Sequence, residues 1–218
     1  MHGASISLER PVSRVLIIRP GQRIVAQGDA PGSVYLVHRG VVKLASVSWQ
    51  GREATLALVG AGGMFGEQAL LGFGGSAARH PPAWGTAPAA TAVTEAQVSA
   101  IPVASLWDTA LPALLGALAA RLCDGAGSLE RILHHEALPR LAGILADLAE
   151  RFGVPGRGGI EIRMPLAQHD LASMAGTSRE TTNRSLCALR AMGWVDKDRS
   201  LLMVLDLQAL RRFAQDGP

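Results

Sequence analysis

The chain has 218 residues, 48% hydrophobic and 18% charged, with a formal net charge of +3 at pH 7; that length buries one large core or two smaller ones, and no apolar run approaches the length of a membrane-spanning helix. The positive charge is nearly all arginine, only Lys43 and Lys197 being lysines, so attraction to a polyanion rests on local guanidinium groups and not on a global field. Two cysteines, Cys123 and Cys187, are too few for a disulfide framework, and the N-terminus lacks the basic-then-apolar pattern of a secretory signal, so a reduced, cytoplasmic setting is expected.

Through the first hundred residues short apolar runs alternate with glycine turns. Residues 15–18 precede Pro20-Gly21, Ile24-Val25 precede Gly28, 34–37 precede Gly40, 41–44 run on toward Gly51, and 56–59 precede Gly60. Regular short strands with turn signals predict an antiparallel β sandwich or barrel. Gly66-Glu67-Gln68-Ala69-Leu70-Leu71 reads as a short helix, 72–85 as a loop rich in Gly and Pro, and 98–101 as a further strand.

A long helix follows. Leu111, Leu115, Leu118, Leu122, Gly125, Leu129 and Ile132 recur at alternating spacings of four and three, the a/d seam of a two-stranded coiled coil. An amphipathic helix packed on its own domain is the alternative. Within Asp124-Gly125-Ala126-Gly127 two glycines each weaken the helix by roughly 1 kcal/mol against alanine, marking either a change of dimer geometry or a close approach of two backbones. The hinge is expected at 133–138, with Pro139 suited to a helix start. A glycine-rich, basic loop at 153–159 then leads to a strand at 160–162.

The segment 166–184 reads as two short helices joined by a tight turn. Leu166, Leu171 and Met174 give the first an apolar face. Gly176 supplies the left-handed residue after it, and Thr177, three residues before Glu180, matches a capping box that starts the second. There Leu186, Leu189 and Met192 point to a core, Thr182 and Asn183 fall on other faces, and Gly193 ends the helix. Apolar runs at 194–195 and 201–205 around Asp196-Lys197-Asp198-Arg199-Ser200 predict a hairpin, and Asp206 caps a last helix over 207–214. Arg179, Glu180 and Arg184 are the chemistry of this segment. Arginine donates two bonds to O6 and N7 of guanine, and glutamate accepts from the amino group of cytosine. Thr177 and Ser178 suit phosphate contacts at the helix N-terminus.

Thr177-Ser178-Arg179-Glu180-Thr181-Thr182-Asn183-Arg184 resembles the recognition helix of the CRP/FNR family of bacterial transcription regulators, in its cyclic-AMP-receptor branch. The glycine turns at 20–21, 28, 40 and 62–67 resemble those of the cyclic nucleotide-binding β-roll, so the resemblance covers nearly the whole chain. It implies an α+β architecture: a β-roll sensor over 1–108, a dimerisation helix and hinge over 109–137, and a winged helix-turn-helix domain over 138–218. It further implies double-stranded DNA as partner, a homodimer on an inverted repeat of TGTGA-type half-sites, DNA contacts from Arg179, Glu180, Arg184, Thr177, Ser178, Thr182 and Asn183, and RNA polymerase as protein partner; the basic loop at 153–159 reads first as a plain connection and alternatively as the polymerase contact.

The effector pocket implied by the resemblance falls on Gly66, Glu67, Gln68, Arg79, Thr86, Ala87, Gly125 and Ala126, and here the pattern departs. The family places an arginine for the cyclic phosphate near Thr86-Ala87, where this chain has none; Arg79 is the one guanidinium in the preceding loop. The Thr-Ser pair that touches adenine in that branch is matched by Gly125-Ala126, which offer no side-chain hydrogen bond. A buried phosphate without a cationic partner is costly, so no cofactor and independence from cyclic AMP are expected. A cyclic-nucleotide-activated regulator, or a nucleotide sensor acting on a protein partner, is the alternative. No cysteine cluster near the N-terminus offers an iron–sulfur site, and His38, His80, His134 and His135 are the isolated candidates for haem. His134-His135-Glu136 near Asp147 is the only dense acid–base cluster. Adjacent helical residues point about 100° apart, so neither a metal site nor an enzyme is expected.

Overall fold

The computed structural model describes residues 15–29, 32–72, 87–106, 111–198 and 201–217. The chain divides into two compact units, residues 1–124 and 125–218, and the boundary falls inside the long helix at the Gly125–Gly127 segment. No helix among the described residues is long and apolar enough to cross a membrane.

Among the described residues of the first unit, eight strands form two antiparallel sheets. One has the order β1 (Val15–Ile18), β8 (Ala96–Pro102), β3 (Ser33–Arg39), β6 (Met64–Phe65). The other runs β2 (Arg23–Val25), β7 (Ala89–Ala92), β4 (Val42–Val47), β5 (Glu53–Val59). Alternation sorts their residues. Ile18, Val37, Val98 and Phe65 from the first sheet meet Val25, Val42, Leu44, Val59, Ala90 and Ala92 from the second in one core. On the opposite face of the first sheet Val34, Leu36, Met64 and Ile101 form a second cluster with Leu114, while Ala117 and Leu118 of the long helix pack against it. The expected strands are all present, but two were missed. β7 reads Ala-Ala-Thr-Ala, three alanines that give no strand signal, and lies centrally between β2 and β4. The two-residue β6 is shorter than any periodicity can reveal. The expected short helix is a 3-10 segment at Glu67–Gly72.

Helix α1 spans Leu111–His134. Leu115, Leu122, Leu129 and Ile132 are exposed by 57, 74, 57 and 43%. Leu118 departs from the expected seam by packing partly on its own sheet, and the side chain of Leu111 lies outside the described residues. Among the described residues an added Cβ at Gly125 or Gly127 meets nothing within 4 Å, so none of their packing demands glycine at either position.

In the second unit α2 (Ala137–Phe152) carries the core face Leu141, Ile144, Leu145 and Leu148. It begins two residues before Pro139, which therefore sits in the first turn, where a missing N–H breaks no helical bond. A sheet of order β11 (Val195–Asp198), β12 (Leu201–Val204), β10 (Gly159–Ile162), β9 (Gly153–Gly156) packs with α2, α3 (Gln168–Met174), α4 (Arg179–Ala191) and α5 (Leu207–Asp216). The stretch read as a loop at 153–159 is thus mostly strand: β9 pairs with β10, and Pro155 is tolerated because β9 is an edge. The last turns of α1 are held to this unit. Arg131 Nη1 lies 3.4 Å from Asp147 Oδ2, Arg140 Nη1 donates to the Ile132 carbonyl at 3.3 Å, and Ile132 Cδ1 lies 3.4 Å from the Cβ position of Gly176. Burial raises the Asp147 carboxyl above its ordinary value, against the lowering pull of Arg131, Arg211 and Arg151.

Candidate nucleic-acid interface and effector pocket

The turn between α3 and α4 is built from backbone needs. Asp170 Oδ2 accepts the Ala167 N–H at 2.9 Å and starts α3. After Ala175 the chain reverses through Gly176, whose φ of 58° favours glycine, and the Thr177 N–H closes on the Ala172 carbonyl at 3.0 Å. The cap of α4 is Ser178 and not Thr177: its Oγ accepts the Thr181 N–H at 3.1 Å, and the helix begins at Arg179. The capping-box reading failed by one residue because Glu180 is the second helical residue and not the third. Its carboxylate still lies in the first turn, where the helix dipole favours it.

Packing decides which face of α4 is free. Thr182, Ser185, Leu186 and Leu189 are buried at 1, 7, 5 and 0% exposure. The opposite face presents Arg179, Glu180, Asn183 and Arg184, with Cys187 and Arg190 further along. Thr182 therefore is not available to DNA. It stands four residues before Leu186 and seven before Leu189, so helical periodicity itself puts it on the core face. Met192 is also misplaced by the sequence reading: it is the C-cap, 45% exposed. Ser178 is exposed and Thr177 half-exposed at the helix N-terminus, in place for phosphate. Gln168 Nε2 reaches to 3.5 Å from Asn183 Oδ1, linking α3 to the outer face of α4. Arg190 Nη2 donates to Asp196 Oδ1 at 3.2 Å, tying the end of α4 to the β11–β12 hairpin.

The pocket residues behave differently. Gly66, Gln68 and Ala87 come together in one small cleft, completed by Val25, Leu44, Phe65, Pro88 and Ala90. Its lining is apolar except for the Gln68 amide. Gly66, at φ 83°, lets the chain pass the Tyr35 ring, which stands 2.9 Å from where a Cβ would be. The Glu67 carboxylate is paired with Arg121 of α1, whose Nη2 also donates to the Met64 carbonyl at 2.6 Å. Arg121 is a guanidinium beside Glu67 that the sequence does not announce, because it lies 54 residues away on α1. Arg79 and Thr86 lie outside the described residues. Gly125 and Ala126 are exposed on α1. Of the haem candidates, His38 Nε2 is engaged by Ser99 Oγ at 2.7 Å, and His80 lies outside the described residues.

A Crp-like helix-turn-helix domain matches residues 139–213, and a cyclic nucleotide-binding domain matches 15–110. The cyclic AMP receptor protein of Thermus thermophilus is 35% identical over 181 residues, covering 80% of this chain and 76% of that protein. The chain belongs to the CRP/FNR family of transcription regulators. The CRP-like cAMP-activated global transcriptional regulator of Mycobacterium tuberculosis is 28% identical over 201 residues, 89% of this chain and 85% of its own. A solved CRP-family transcriptional regulator, also from Thermus thermophilus, superposes with a TM-score of 0.77 at 25% identity, over 92% of this chain and 96% of that one. The sandwich, long helix and helix-turn-helix are those of the family, and the chain is a DNA-binding transcription regulator.

Proposed function

We propose that this CRP/FNR regulator acts as a homodimer on an inverted repeat of TGTGA-like half-sites, reads bases through Arg179, Glu180 and Arg184, and does not depend on cyclic AMP. The observation that carries the reading is the division of α4: four buried residues fix the helix against its own domain while the guanidinium, carboxylate and guanidinium stand together on the open face. Bidentate arginine donors and a glutamate acceptor suit the G·C pairs of such a half-site. The leucine stripe of α1 supports the dimer. Leu115, Leu122, Leu129 and Ile132 are large apolar side chains left in water at coiled-coil spacing, a surface that a second copy covers by symmetry.

Independence from cyclic AMP rests on the described side chains. The cleft holds one amide and no cation among the described residues, the Glu67 carboxylate is occupied by Arg121, and Gly125-Ala126 offer no side-chain donor. Among the described residues the cleft lining offers a cyclic phosphate no cationic partner, and Arg79 and Thr86 lie outside them. RNA polymerase is the expected protein partner in the cytoplasm, with the exposed Arg157 turn between β9 and β10 as its contact.

A gel shift on a duplex bearing the TGTGA inverted repeat, with and without cyclic AMP, tests the reading. Equal binding in both conditions supports it. A strict requirement for the nucleotide establishes the cyclic-AMP-activated alternative, and failure to bind any duplex favours a sensor acting on a protein partner.

A further inference from the structure

Glu180 and Arg184 stand four residues apart on one face of α4, the spacing and order at which glutamate and arginine pair on a helix surface. They do not pair here. Arg184 Nη2 instead donates to Thr181 Oγ1 at 3.3 Å, and the Ser178 hydroxyl donates to the same oxygen at 3.0 Å while accepting the Thr181 N–H at 3.1 Å. Among the described residues the side chains of Arg179 and Glu180 have no hydrogen-bond or ion-pair partner. The N-cap is thus wired, through one hydroxyl, to the guanidinium at the far side of the reading face.

We infer that Thr181 is a specificity-determining positioning residue: its hydroxyl draws Arg184 away from Glu180 and keeps both groups available to base edges. The inference rests on the base-reading role of α4 proposed above. The physical argument has two parts. An arginine side chain loses about 2 kcal/mol of rotamer freedom when it is fixed, so a guanidinium already held by Thr181 gives up less on docking. A Glu180–Arg184 ion pair, once formed, has to break before either partner can meet a base. With two bonds arriving at its oxygen, Thr181 keeps its own O–H free to donate. Ser178 contributes through the cap geometry that places Thr181, so the N-terminus of the helix and its base-reading chemistry are one unit.

The test is a double-mutant cycle read as base discrimination. The probe is the duplex that the wild-type protein enriches from a randomised pool, with its single-base variants as competitors. Thr181→Val removes the hydroxyl at nearly constant shape, and Thr181→Ala is a second hydroxyl-free variant. Both are expected to lower discrimination at the base pair that Arg184→Ala identifies by about two- to tenfold, the scale of one hydrogen bond. Thr181→Ser is expected to restore it, and the loss is expected to vanish when Thr181→Val is made in an Arg184→Ala background. Equal weakening on all duplexes, persisting in that background, would make Thr181 a phosphate contact or a purely structural residue and overturn the inference, as would unchanged discrimination in both hydroxyl-free variants. Indifference of Arg184→Ala to base identity would sink the base-reading assignment itself, and this inference with it.

Discussion

Single residues set the reading face. Arg179 is exposed, unpaired among the described residues and first in the helix, so under the proposed reading its guanidinium would enter the groove without leaving a partner behind. Arg179→Ala is expected to lose discrimination at one guanine, at roughly 1–3 kcal/mol, with little change on other sequences; competition binding against single-base variants measures it. Ser178→Ala acts on a different quantity. It removes the acceptor for the Thr181 N–H and is expected to lower stability by about 1 kcal/mol in chemical denaturation. Asp147 carries a pH signature. Because burial raises its carboxyl in the folded state, the unfolded chain releases that proton first. The stability Asp147 contributes is therefore fully present below the ordinary carboxylate value and is lost as pH rises through the raised one. Asp147→Asn is expected to flatten that part of the stability profile, and denaturant titrations at a series of mildly acidic pH values check it.

At the scale of elements, the helices and strands differ in how openly the chain declares them. Strands rich in valine, isoleucine and leucine, such as β3 and β5, were legible because branched side chains and turn glycines both point to them. β7 was not, because its alanines acquire meaning only when the sheet turns Ala90 and Ala92 into the core between the two sheets. β9 carries glycine and proline and reads as a loop until an edge position makes that harmless. α4 was legible in its chemistry and misread at its margins, since Thr182 was sorted by polarity where spacing should have ruled. The Glu67–Arg121 pair joins residues 54 apart in sequence, which no local pattern discloses. Leu122→Glu places a charge in the exposed α1 stripe, and sedimentation is expected to show dissociation to monomer with the β sandwich intact. Gly125→Ala is expected to stiffen the helix by roughly 1 kcal/mol without a clash, since nothing lies within 4 Å of its Cβ position, and thermal unfolding of the helical signal reads it.

For the whole molecule, two kinds of surface ask for partners of opposite character. The α1 stripe is apolar and repeats with a coiled-coil period, the surface that a copy of the same chain would complete in the proposed dimer. The α4 face is polar and carries donors and acceptors matched to base edges, so duplex DNA completes it. In the proposed symmetric dimer, two α4 helices would meet successive major grooves about 34 Å apart, and the site they select would be an inverted repeat. Selection from a pool of randomised duplexes by the wild-type protein, without added nucleotide, tests this most directly. The account predicts enrichment of an inverted repeat with half-site centres one helical turn apart, abolished by combining Arg179→Ala, Glu180→Gln and Arg184→Ala. Enrichment of a single asymmetric site, or a selected sequence unchanged in the triple variant, would contradict it.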